Sequence, residues 1–206
     1  MKIYKLEQIV SPYLIDMDFD ATSEPFDKKN EIGYDMKGVE YFEMPKEIYF
    51  RANFHVIPEH TDFPITDLTF PIFSKKMIDV IESVKPFPKK LLQTIMVDDT
   101  YLEHYLDENG VLKKDVKINI TYFGVQFLEH TNCFNYEKSI FRPLSGKPNF
   151  PGVIKKLVLR MPKSGFPSVF KMKEKRSLTF ITQETKDALE RNNIKGCEFE
   201  EVEVSE

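Results

Sequence analysis

"FPIFSKKMIDVIESV", Phe70–Val84, and "FITQETKDALERNNI", Phe180–Ile194, carry one frame twice in a chain of 206 residues. A shift of 182 − 74 = 108 positions lays Ser74 on Thr182, Asp79 on Asp187 and Glu82 on Glu190. Met77, Val80, Ile81 and Val84 keep the i, i+3, i+4, i+7 spacing of one helical face, and Thr185, Ala188 and Leu189 fill the matching slots. Each window predicts a short buried strand running straight into an amphipathic helix. A Ser or Thr hydroxyl at that junction accepts a hydrogen bond from a first-turn N–H that has no intrahelical partner, so Ser74 and Thr182 are the expected N-caps. The repeat is either a duplication or two uses of a common strand, cap and helix unit.

Outward from these windows, strand patterns dominate: "KIYKL", "YLIDMDFD", "EIYFRANFHV", "LLQTIMV", "VKINITYFGVQF", "IKKLVL" and "CEFEEVEV". "DENG", Asp107–Gly110, reads as a hairpin connection, and "PFP", Pro86–Pro88, and "GKPNFPG", Gly146–Gly152, as turn-rich separators. Many strands around two short helices predict an α+β fold, mostly antiparallel sheet, with strand-to-helix units near 70–84 and 178–193. Residues 1–206 form one domain or two lobes dividing near 85–90. The hydrophobic share of 41% and charged share of 30% describe a folded chain with ample core. "MKIYKLEQIV" is too short and too charged for a secretory signal, and no apolar run reaches membrane-spanning length, so the expected location is cytoplasmic.

The net charge of −4 conceals a strong segregation. Residues 138–176 hold 11 Lys and Arg against Glu174 alone, a balance of +10, so the remainder carries −14. Acids gather at Asp98, Asp99, Glu103, Asp107 and Glu108, and again from Glu198 to Glu206. Either the basic arm and the acids lie side by side and neutralise one another, or the segregation serves a charged partner. Asp16, Asp18 and Asp20 alternate with Ile15, Met17 and Phe19, which predicts a strand whose aspartates line a solvent face, merely solvated or a docking stripe. A calcium loop is excluded there, because its sixth and twelfth positions hold Ala21 and Asp27 where Gly and Glu are required.

No catalytic or metal spacing emerges. Pro58 breaks any helix between His55 and His60, so neither zinc geometry nor an HExxH motif forms with Glu59 and Asp62. Cys133 and Cys197 have no metal or redox spacing and read as reduced, packed thiols. There is no G-x-S-x-G elbow and no glycine-rich phosphate loop. The reading is a non-enzyme with no cofactor and no metal; a site assembled from distant residues is the remaining enzymatic option.

"FPIFSKKMIDVIE", "NYEKSIF" at Asn135–Phe141 and "VFKMKEKRSLTFITQETKDALERNNIKGCEFEEV" at Val169–Val202 resemble the immunity proteins of bacterial polymorphic toxin systems, in the family first recognised in a myxobacterial immunity protein. The matching positions are Ser74, Glu137, Lys138, Ser139, Phe170, Gly196 and Phe199. The likeness runs in patches from Leu68 to Val202, its motifs are structural, and the first 67 residues lie outside it. The 138–176 arm and the pair Lys75 and Lys76, in a first turn whose dipole favours acids, depart from the pattern; Glu184 obeys that rule in the second copy.

What the resemblance implies is a cytosolic antidote to a toxin delivered by contact-dependent or type VI secretion, acting by stoichiometric binding to the cognate toxin encoded beside it. Under that implication Asp16, Asp18, Asp20, Asp98, Asp99 and Glu103 are the expected toxin-facing residues, steering a basic cleft. No membrane or nucleic-acid partner is expected. The alternative from another class is nucleic-acid binding by the basic arm, where Phe141, Phe150, Phe166 and Phe170 interleave with Lys and Arg; a pI near 5.7 weighs against it.

Overall fold

The computed structural model describes residues 1–10, 19–24, 47–68 and 70–205. In chain order the elements are β1 (Ile3–Gln8), β2 (Ala21–Ser23), β3 (Glu47–Ala52), β4 (Ile72–Ser74), α1 (Lys75–Val84), β5 (Lys89–Asp98), β6 (Ile118–Asn119) and β7 (Tyr122–Phe127). They continue with β8 (His130–Thr131), β9 (Ile140–Leu144), β10 (Lys147–Lys156), β11 (Val158–Arg160), β12 (Val169–Met172), β13 (Lys175–Thr182), α2 (Gln183–Arg191) and β14 (Cys197–Ser205). The fold is α+β and mostly sheet, as the alternating patterns predict. The "YLIDMDFD" strand falls largely outside the described residues.

The chain forms two compact units, each discontinuous in sequence. Gln8–Ile78 and Lys90–Gln126 make one; Met1–Glu7, Asp79–Lys89 and Phe127–Glu206 make the other. The first contains a sheet ordered β2-β3-β5-β7-β4, with β6 added to β5. Ile48, Phe50, Ile72, Met96 and Tyr122 are central to its core. Gly124 on β7 is required there, because a Cβ at that position would stand 2.4 Å from the Phe70 ring. The other unit contains a sheet ordered β11-β14-β1-β13-β12-β8 and the separate β9–β10 hairpin, over a core of Ile3, Phe134, Phe170, Met172 and Phe180.

The two sheets share one plan, so the repeated frame extends far beyond its fifteen residues. In each, the strand before the helix lies two places from the strand after it, with one strand between them: β4, β7, β5 in one sheet and β13, β1, β14 in the other. The strand beyond the post-helix strand is parallel to it in both, β3 beside β5 and β11 beside β14. The inserted strand is antiparallel to the pre-helix strand in the same register: Ser74 faces Tyr122, and Thr182 faces Ile3. The next residue continues the match, Lys75 N donating to Thr121 O at 2.7 Å and Gln183 N to Lys2 O at 3.2 Å. The inserted strand comes after the frame in one unit and from the start of the chain in the other.

Both caps form where the sequence predicts them. Met77 N donates to Ser74 Oγ at 3.0 Å, and Thr185 N to Thr182 Oγ1 at 3.3 Å. The first turn of α1 contains no acid, and Asp62 stands beside it instead, accepting from Ser74 Oγ at 2.6 Å. Thr185, Ala188 and Leu189 are buried on α2 as the spacing requires. On α1 the buried set is Met77, Ile78 and Ile81, while Val80 and Val84 sit at the margins of the apolar face.

Candidate functional site

The end of β5 and the segment after it hold three of the six expected partner-facing acids, Asp98, Asp99 and Glu103. Asp98 closes the segment at one end: Tyr101 N donates to its carbonyl, and Thr100 N and Oγ1 donate to its Oδ1 at 3.0 and 2.7 Å. "DENG" turns as expected, with Asp107 N donating to Val111 O at 2.8 Å and Gly110 at φ 76°. Beneath this loop lies a small core of its own, Ile95, Val97, Tyr105 and Val116, with Tyr49, Tyr101, Leu106 and Leu112 packed against it.

Arg51 on β3 clamps the loop. Its Nε donates to Glu24 Oε1 at 2.7 Å, its Nη1 to the Tyr101 carbonyl and its Nη2 to the Glu103 carbonyl at 3.2 Å. The guanidinium also sits 5.6 Å from the centre of the Tyr105 ring, which stacks on Tyr49 at 5.5 Å. A cation spending its donors on two loop carbonyls fixes backbone that water would otherwise solvate. Sequence reasoning missed Arg51; the available signal was a lone cation on the same strand face as Glu47 and Tyr49.

The clamped loop leaves two apolar side chains exposed, each with acids next to it in the chain. Leu102 is 89% exposed and Val111 60%. Glu103 is exposed beside Leu102, its Oε2 3.6 Å from Lys113 Nζ, and Asp107 and Glu108 are exposed near Val111. Asp99 is half-buried, and burial, then the Asp98 charge, push its carboxyl above the ordinary range, while His55 and Arg51 pull it down. Asp98 itself is buried, so it holds the loop instead of facing a partner.

Asp16 and Asp18 lie outside the described residues. Asp20 requires a correction, because it does not line a solvent face. It is 1% exposed, its Oδ2 accepts from Ile65 N at 2.7 Å, and its Oδ1 accepts no hydrogen bond among the described residues. Burial raises its pKa. The reason is local: β2 begins at Ala21, and Asp20 bridges the chain to Ile65 just before it, so the alternation read through the aspartates does not continue to this position.

The basic arm is partly neutralised at short range. Lys156 pairs with Glu203 at 2.8 Å, and a cleft of about 460 Å³ brings Lys155, Lys156 and Lys175 opposite Glu200, Glu201 and Glu203. Lys171 is only 8% exposed, and burial lowers its pKa to about 8. Cys133 is buried, with its thiol pushed up to about 12 by burial and then by Glu174, far from thiolate reactivity at neutral pH. His55, Glu59 and His60 are exposed, whereas Asp62 is buried against Ser74. Among the described residues no three His, Cys, Asp or Glu side chains are grouped to hold a metal ion, and no helix is long and apolar enough to cross a membrane. No family model matches the chain, and no curated protein matches its sequence.

Proposed function

We propose that the protein is a cytoplasmic immunity protein that binds a cognate secreted bacterial toxin and neutralises it by stoichiometric occlusion, without catalysis. The observation that carries this reading is the Arg51-clamped loop presenting Leu102 beside Glu103. A loop already fixed by its own small core loses little conformational freedom on binding, so more of its contact energy appears as affinity. Exposed leucine offers an anchor for an apolar pocket, and the surrounding acids accelerate encounter with a basic cleft. The resemblance in the strand-to-helix motifs supports the same class. Its docking residues are Leu102, Asp99 and Glu103; Asp20 and Asp98 support the fold.

The test uses the toxin encoded beside this chain. Leu102→Asp is expected to raise the dissociation rate and abolish protection of cells making that toxin. Asp99→Asn with Glu103→Gln is expected to slow association and flatten its dependence on ionic strength. Wild-type rates and full protection in both variants would place the interface elsewhere, and failure of the wild-type protein to protect would remove the immunity reading.

A further inference from the structure

The β9–β10 hairpin has an outer face that no part of the preceding reading uses. Phe141 and Ile154 point inward and pack against the core of their unit. On β9 Ile140, Arg142 and Leu144 alternate to the opposite face, and across three register irregularities on β10 they pair with Lys156, Val153 and Lys147. Each of these three pairs sets one apolar side chain against one cation. Ile140, Leu144 and Val153 are 57%, 50% and 58% exposed. From Ile140 to Lys156 the chain has four Lys and Arg and no acid.

We infer that this face docks an acidic protein surface whose carboxylates are interleaved with apolar side chains. The checkerboard decides among partners. A membrane would have to take Arg142 and Lys147 into the same layer as Ile140, Leu144 and Val153, which carries the cost of desolvating cations among hydrocarbon. Nucleic acid would satisfy the cations but leave aliphatic side chains against phosphates, and base stacking needs aromatic rings, of which Phe150 is the exposed one on these two strands. A second copy docking face to face would oppose like charges.

Contact is through the face, not by strand addition. Pro143 lies within β9 opposite Pro151 on β10, and a proline cannot donate to an added strand. Lys156 is engaged by Glu203 at one end of the hairpin, whereas Lys147 is exposed with its Nζ 5.8 Å from the Phe150 ring centre. Arg142 and Lys147 are thus the central cations of the surface. The inference does not depend on the toxin reading, since the hairpin belongs to the other unit from the clamped loop.

The experiment titrates the full chain with four probes: a peptide alternating Glu and Val, its Lys-for-Glu counterpart, vesicles of phosphatidylserine with phosphatidylcholine, and a short DNA duplex. Backbone amide shifts locate binding. The expected result is saturable binding of the acidic peptide alone, with shifts confined to 140–156. Arg142→Glu with Lys147→Glu, and separately Leu144→Ser with Val153→Ser, are each expected to weaken it about tenfold or more, with unfolding midpoints confirming that the variants fold. Binding to vesicles, DNA or the basic peptide as tight as to the acidic one, shifts elsewhere, unaffected variants, or no binding by any probe would overturn the inference.

Discussion

At Lys171 an ionisable group is held where its charge is poorly solvated. All four residues of β12 are buried, and the amine lies 5.9 Å from the Phe127 ring centre, so the cation–π contact returns only part of the lost hydration. His130, paired with Lys171 across β8, shares the consequence: burial, then Arg176 and Lys171, lower its pKa. Lys171 titrates near 8 in the folded state against 10.5 unfolded, so between those values the unfolded chain holds more protons. Stability therefore rises with pH across that window, and the burden of the buried charge is fully present below about pH 8. Lys171→Met is expected to raise stability by about 3 kcal/mol at pH 7 and to remove the rise between pH 8 and 10.5, measured by urea unfolding across pH. Asp20 has the opposite sign: burial raises its carboxyl, so its folded form loses stability as pH rises through the folded value.

The strand-to-helix elements were the most legible part of the sequence, because cap and helical face both depend on spacings within one turn. Thr182→Ala removes the bond from the Thr185 amide and the 3.1 Å hydroxyl contact with Thr185 Oγ1, and is expected to lower stability by about 1 kcal/mol. Ser74→Ala also withdraws a donor from buried Asp62 and is expected to lower it by about 2–3 kcal/mol. Denaturant midpoints of the two variants, compared at unchanged m-value, check the difference. Asp62 illustrates what spacing could not reveal, since it reaches the α1 cap from twelve positions upstream. Arg51 was invisible for the same reason: its partners Tyr101 and Glu103 lie about fifty positions away. Asp20 was misread because alternation carries no information on long-range partners, and here the carboxylate is taken up by the Ile65 amide 45 positions away.

Over the whole molecule, the 108-residue shift in sequence corresponds to a shared order of strands, directions and registers in two units. Only the frames themselves were legible, because the inserted strands β7 and β1 stand at unrelated places in the chain. β1 is flanked by β14 and β13 within its sheet, so it closes that unit on both sides. Deleting residues 1–8 is expected to expose β13 and β14 and to abolish protection of their amides from hydrogen exchange, while β3, β5 and β7 remain protected. Equal loss in both sheets, or protection retained in β13, would contradict this.

The position of β1 also sets an order of events on the ribosome. The unit around β5 and β7 has all its strands once residue 126 is made. Ile3, Tyr4 and Leu6 emerge before every other strand named above, yet Tyr4 meets Gln183 across a separation of 179 positions. At about 5–20 residues per second, the 182 − 126 = 56 residues up to the end of β13, the first partner of β1 to be made, take roughly 3 to 11 s. Throughout that interval the earliest strand has no pairing partner, and a nascent chain stalled between the two units exposes it to chaperones and to neighbouring chains.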